Sequence, residues 1–384
     1  MFISSVIPVV HRAFSEKLLG GKKMEKTKLN FAKIISICGA CIAFYIGSGF
    51  ATMQELMQYD VSYGSQFWIV VLVSGVIYLY TNWSFINNGN RLSIARGGDI
   101  YQVYCGKYIG KGFDIFSAIF CYACYFVMCG GANSTMMQQW NAPNGLGAIV
   151  LAVAVIATAY FGLNGILNAL GMIGPVIIVI ILTVSIVCTI TGASNIGPGF
   201  AKIDAGMDLV RVGNSPWASG ASYGGFVILW FAAFLAEIGA TNKKAEANIG
   251  MILSTIFIFS ATTLCCLALA SHIDLVATAD IPSLILAGTL SPLFANIFAV
   301  IIFCGIYTTA VPLLWTGVGL IAKQGTKKYK IATLVLGVVG PVVAMFLPYK
   351  ALVNVLYGLN GYLGFILVAF MIVNDVMVAM KKKA

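Results

Sequence analysis

Hydrophobic residues run along this chain in long blocks separated by short polar joints. Ten blocks stand out: 31–57, 66–87, 112–138, 145–162, 166–191, 218–239, 247–270, 292–321, 328–347 and 352–378. Crossing a bilayer as a helix takes about 20 apolar residues, at roughly 1.5 Å of rise each. Inside lipid the backbone must satisfy its own hydrogen bonds, and blocks of this length do so as helices. The pattern predicts an all-α, polytopic membrane protein with ten transmembrane helices.

Two blocks are interrupted. The first reads Gly47-Ser48-Gly49 near its middle and carries Glu55 further on. The sixth opens Ser219-Gly220-Ala221-Ser222-Tyr223-Gly224-Gly225. Glycine costs about 1 kcal/mol against alanine inside a helix. Irregular backbone at membrane depth is tolerated only where protein buries it or a wet cavity receives it. Both blocks are therefore expected to break, the sixth at Tyr223-Gly224-Gly225. They lie five spans apart and run in opposite directions. Broken helices at matching positions of two opposed halves are the sequence mark of an inverted-repeat transporter and its site. Bare N–H groups at one half-helix start favour an anion, and bare carbonyls at the other end favour a cation. The simpler reading of each glycine cluster is close helix packing.

Composition agrees: 60% of residues are hydrophobic and 9% charged, where a soluble domain is nearer a quarter charged. The net charge of +10 does not point to nucleic acid, because the basic residues are sorted by side. With both termini in the cytoplasm, all of the 23 Lys and Arg but Lys202, Arg211 and Lys350 fall inside, as the positive-inside rule requires. The expected layout is a cytoplasmic tail over 1–30, a first five-helix repeat over 31–191, an outer loop over 192–217, a second repeat over 218–378 and a tail over 379–384. Residues 1–27 lack the form of a secretory signal. Ile100–Tyr104 is expected as a short interfacial helix. Ile281–Leu286, in the outer loop 271–291, is expected to re-enter. The ten cysteines have no metal-ligand spacing and read as packing residues.

Four acids belong to the spans. Asp114, Glu237 and Asp375 fall near cytoplasmic ends and are expected to be solvated. Glu55 lies about 7–8 Å beyond Phe50 at the helical rise. Intramembrane acids are costly and mark functional sites by default. Glu55 is read as an outer gate partnered by Lys202, Arg211 or Lys350, as a proton-titrating group, or as a contact for a cationic substrate. In the eighth span, Thr308 and Thr309 offer hydroxyl oxygens beside Gly305, although such hydroxyls commonly bond back to the preceding turn.

The run Gly47-Ser48-Gly49-Phe50-Ala51 with Gln54-Glu55, the stretch Tyr223-Gly224-Gly225-Phe226, the pair Thr308-Thr309 and the tenth-span run Leu356-Tyr357-Gly358-Leu359-Asn360-Gly361-Tyr362 together resemble the YkvI-like bacterial membrane proteins. That family sits in the amino acid–polyamine–organocation superfamily, and the resemblance covers about residues 31–378. It implies the LeuT-type fold, a 5+5 inverted repeat with discontinuous helices 1 and 6, and a place in the bacterial cell membrane. It implies a substrate site at Gly47, Ser48, Gly49, Tyr122, Tyr125, Tyr223, Gly224 and Gly225. It also implies a sodium site built from the carbonyls of Ala43, Ile46 and Gly305 and the hydroxyls of Thr308 and Thr309. Phe50 stands where several sodium-coupled relatives have asparagine at a second ion, which argues against a second sodium. Residues 166–191 contain no lysine, the residue that replaces sodium in some proton-coupled relatives.

The expected function is secondary active transport of a small organic solute, an amino acid first, coupled to sodium by alternating access. The alternative is an organic cation such as a polyamine or betaine, recognised by Glu55 and aromatic rings. A solute sensor and an ion channel rank lower. No catalytic cluster, nucleotide loop or cofactor motif argues for an enzyme. The expected partners are the solute and the lipid bilayer, with no nucleic acid and no protein partner evident.

Overall fold

The computed structural model describes residues 29–94, 97–161 and 173–381. The tail up to residue 28, the start of the fifth span and residues 382–384 lie outside the described residues, as do the expectations that fall on them. Everything described is helix or connection. Among the described residues seven helices are long and apolar enough to cross a membrane, an eighth qualifies as a bent pair, and Phe31–Tyr45 and Leu146–Tyr160 are shorter apolar helices. They occupy the ten expected places. The end of the bundle carrying Asn30 and Lys381 is called proximal below, and the opposite end distal.

The first span breaks as expected, and twice. Helix Phe31–Tyr45 is capped by Asn30, whose side chain accepts from the Lys33 N–H. It stops at Ile46, and Gly47 is extended, with φ −92° and ψ −164°. A five-residue helix, Ser48–Thr52, follows. Met53 then turns left-handed at φ 59°, and Gln54–Tyr59 completes the crossing.

The sixth span corrects the sequence reading. Pro216–Thr241 runs helical through Tyr223, Gly224 and Gly225. Its axis bends by 55° between Pro216–Leu229 and Phe231–Thr241, some turns later. The two glycines serve packing instead. A Cβ at Gly225 would collide with the Gly361 carbonyl of the tenth span, and one at Gly224 would crowd Ile77 of the second span at 2.9 Å. Small residues let helices in lipid approach to this distance, and that close packing is what the Gly-Gly pair supplies. At the bend, the Tyr101 hydroxyl donates to the Leu229 carbonyl at 3.0 Å. Tyr101 belongs to the expected interfacial helix, which forms at Ile100 and turns at Gly106, φ 70°, into the third span.

The distal loops fold over the bundle. Ile196–Asp204 packs against the 3-10 turn Val61–Gln66. Pro282–Leu290 re-enters as a helix, with Ser283 and Leu286 fully buried. On the proximal side Asp375 is not simply solvated. It accepts hydrogen bonds from Tyr80 at 3.2 Å, Asn88 at 3.2 Å and Ser84 of the second span.

Candidate functional site

The break in the first span organises the centre of the molecule. The Gly47 N–H turns to the Tyr45 carbonyl at 2.9 Å, so the Ala43 carbonyl loses its ordinary helical donor. Gly47 has open space where a Cβ would stand. Ser48 begins the outer half-helix. Gly49 faces Glu55: a Cβ there would meet Oε2 at 3.0 Å and the Tyr357 hydroxyl at 3.3 Å. The left-handed turn at Met53 explains this. It reverses the helix phase after Thr52 and folds Glu55 back onto the break, where a continuous helix would carry it away.

Glu55 is 5% exposed, and the Tyr223 hydroxyl donates to its Oε1 at 3.3 Å. Tyr59 stacks on Tyr223 with ring centroids 4.6 Å apart. Tyr357 stacks on Phe226 at 4.3 Å. Among the described residues the buried hydroxyls of Tyr45, Tyr59, Tyr78 and Ser222 have no hydrogen-bond partner of normal geometry. The result is a carboxylate walled by phenol rings, at the centre of the first, sixth and tenth spans.

The three basic residues expected to gate Glu55 are engaged elsewhere. Lys202 pairs with Asp274. Arg211 lies over the Tyr63 ring at 5.9 Å. Lys350 donates to the Thr278 carbonyl at 2.8 Å. The gate reading is thus replaced by a central position for Glu55, because the Met53 turn points it inward.

Of the other residues expected to hold substrate, Tyr223 is brought to Glu55 and four face elsewhere. The Tyr122 and Tyr125 hydroxyls donate to the Leu336 and Gly337 carbonyls, each at 2.9 Å. They anchor the third span to the ninth. Gly224 and Gly225 face spans 2 and 10, as described. The expected sodium ligands belong to two spans, Ala43 and Ile46 to the first and Gly305, Thr308 and Thr309 to the eighth. The Thr308 and Thr309 hydroxyls both donate to the Gly305 carbonyl, at 2.7 and 3.1 Å, the bond back to the preceding turn that such hydroxyls commonly make. Ile46 is buried and Ala43 exposed.

The sequence reading missed Asp60, Tyr45, Tyr59 and Tyr78. Asp60 is fully buried, and among the described residues neither carboxylate oxygen has a partner. The one signal for it was its spacing, five residues beyond Glu55, and a span boundary set at residue 57 placed it in a loop.

The distal end is shut. From Phe50 to Ser62 every residue is buried. Thr52 bonds Tyr349 at 3.1 Å, and Gln58 donates to the Lys350 carbonyl at 3.0 Å. Tyr63 donates to the Val212 and Gly213 carbonyls. The proximal half-helix instead leaves Ala32, Ile35, Ser36, Gly39 and Ala43 exposed along one face.

A broken first span, a bent sixth span and a polar centre between them define the LeuT-type fold of five plus five membrane helices, and solved structures agree. The chain superposes on MhsT in complex with L-phenylalanine with a TM-score of 0.57 at 14% identity, covering 92% of this chain and 90% of that one. A manganese transporter of Eremococcus coleocola, as an H236A mutant, gives 0.55 at 14% identity over 92% and 80%. Mhp1, a nucleobase-cation-symport-1 family transporter with bromovinylhydantoin bound, gives 0.51 at 14% identity over 87% and 78%. No curated protein matches the chain. The profile of the spore germination protein family matches residues 29–351, and the chain belongs to that family.

Proposed function

We propose that this protein is a secondary transporter for a small solute bearing a protonated amine, an amino acid first. The supporting observation is the Glu55 carboxylate folded over Gly49, buried and bonded to Tyr223. A buried carboxylate needs a cationic or hydrogen-bonding partner, and a substrate ammonium supplies one. The half-helix Ser48–Thr52 is too short to present a strong dipole to a substrate carboxylate. The amine therefore makes the main contact, with ring faces beside it for cation–π attraction. Polyamines, which share this chemistry, and betaines, whose quaternary ammonium offers charge and cation–π contact without an N–H, are the runner-up class. Sodium is the proposed coupling ion, at Ala43, Ile46, Gly305, Thr308 and Thr309. The released Ala43 carbonyl supports it.

In this reading the proximal end faces the cytoplasm of a bacterial cell, and the two repeats, 31–191 and 218–378, rock about the site. Closure at Gln58 and Tyr349 with an open face on Phe31–Tyr45 fits an inward-facing state. A second reading is supported by the family's description as spore germination proteins: the protein binds its solute as a signal without moving it.

The test is a thermal-shift screen of purified protein against amino acids and amines, in sodium and in choline. A ligand of the folded state raises its stability by mass action. A hit that requires the amine, is strengthened by sodium and is lost in Glu55→Gln supports the proposal. Hits indifferent to Glu55 sink it. Flux of the hit into proteoliposomes separates transport from sensing.

A further inference from the structure

We infer that Asp60 is a proton-binding site, and that closing the distal end of the protein takes up one proton on its carboxyl group. The inference rests on the alternating-access reading but adds a site and a ligand to it.

Asp60 sits at the joint between the outer half of the first span and the turn Val61–Gln66. It is fully buried, and among the described residues neither Oδ1 nor Oδ2 has a hydrogen-bond partner. Buried charges are ordinarily paired or bound to metal, and an unpaired buried carboxylate neutralises.

Among the described residues the groups around it supply no positive charge. Its own segment contributes Glu55 and Tyr59; the proximal half-helix Tyr45; the sixth span Tyr223; and the seventh Cys266, all within electrostatic reach. The helix Ile196–Asp204 packs on the adjoining turn, yet its Lys202 pairs with Asp274 and its Asp204 accepts from the Ser65 N–H at 3.1 Å. Lys350 and Arg211, from the remaining distal segments, are committed to the Thr278 carbonyl and the Tyr63 ring. Glu55 is a second acid and offers no opposite charge.

A metal ion is a poor fit. The nearby serine hydroxyls are turned elsewhere, Ser62 to the Gln58 carbonyl and Ser219 to the Tyr59 carbonyl, and the neighbouring thiol suits no alkali ion. A proton needs no further ligands. With the distal end open, the carboxylate meets water and is ionised. On closure it takes a proton from that water and is buried as the neutral acid, and reopening returns the proton.

The closed form is therefore favoured at low pH and lost as pH rises. The reporter is Met57→Cys, at a position 3% exposed on the distal cavity with Gln54 and Lys350. Maleimide labelling of the full chain in proteoliposomes is measured from about pH 5 to about pH 9, each rate normalised to the denatured protein at that pH. The normalised rate is expected to rise with pH, by up to about tenfold per unit for one linked proton. In the Asp60→Asn background it stays low and flat, and Asp60→Glu restores the slope.

A flat profile in the reporter protein itself overturns the inference, whatever the variants do. So does a slope that survives Asp60→Asn, or one lost in Glu55→Gln and kept in Asp60→Asn. Labelling needs no solute, so its failure leaves the transport proposal standing, and absent transport leaves a titrating Asp60 untouched.

Discussion

The residue that fixes the chemistry of the centre is Met53 as much as Glu55. A left-handed non-glycine residue is uncommon, and here it turns the carboxylate of Glu55 toward Gly49. Removing the charge should therefore lower affinity without unfolding the protein. Glu55→Gln is expected to weaken an amine ligand about tenfold or more, since hydrogen bonds to charged groups are worth about 1.5–3 kcal/mol; isothermal titration reads it. Gly49→Ala should do the same by steric means, because its methyl group meets Oε2 and the Tyr357 hydroxyl. Tyr122→Phe and Tyr125→Phe should behave oppositely. Each loses a bond to the ninth span, so each should cost about 1 kcal/mol of stability with ligand affinity unchanged. A large affinity loss in either would return these tyrosines to the site.

At the scale of elements, similar glycine clusters have two different fates. In the first span the cluster lies beside open space at Gly47, and the backbone leaves the helix. In the sixth, Gly224 and Gly225 are pressed between spans 2 and 10, and the helix continues. Composition is alike in both; what surrounds the backbone differs. Gly225→Ala is expected to destabilise by about 1–3 kcal/mol, as overpacking does, because the new methyl strikes the Gly361 carbonyl. Gly319→Ala, in the eighth span with nothing near its Cβ position, should be neutral or gain up to about 1 kcal/mol from helix propensity. Thermal unfolding in detergent compares the two. Equal effects would mean that the sixth span is not held by this contact.

For the whole molecule, the proposed transport depends on which end is open. The distal seal joins the first span to the segment around Lys350 and Asn354 through Gln58, which donates to the Lys350 carbonyl and accepts from the Asn354 amide at 3.2 Å. Gln58→Ala removes both contacts and should shift the protein toward a distally open form. The expected readout is labelling of a Met57→Cys reporter faster by about three- to tenfold, as for loss of about one hydrogen bond. An unchanged rate would show that Gln58 is not part of the seal.

The linear pattern determined the long apolar helices, the break at Gly47 and the short helices that begin at Ile100 and Pro282. These depend on local chemistry: apolar length against bilayer thickness, glycine against helix, proline at a helix start. The tertiary structure alone decided that Glu55 faces the centre, that Tyr122 and Tyr125 face the ninth span, that the sixth span bends after Leu229, and that Asp60 is sealed without a partner. Side-chain direction follows from one left-handed turn and from which helix lies opposite. Neither is written in residue spacing, because a change of a single backbone dihedral redirects every residue after it.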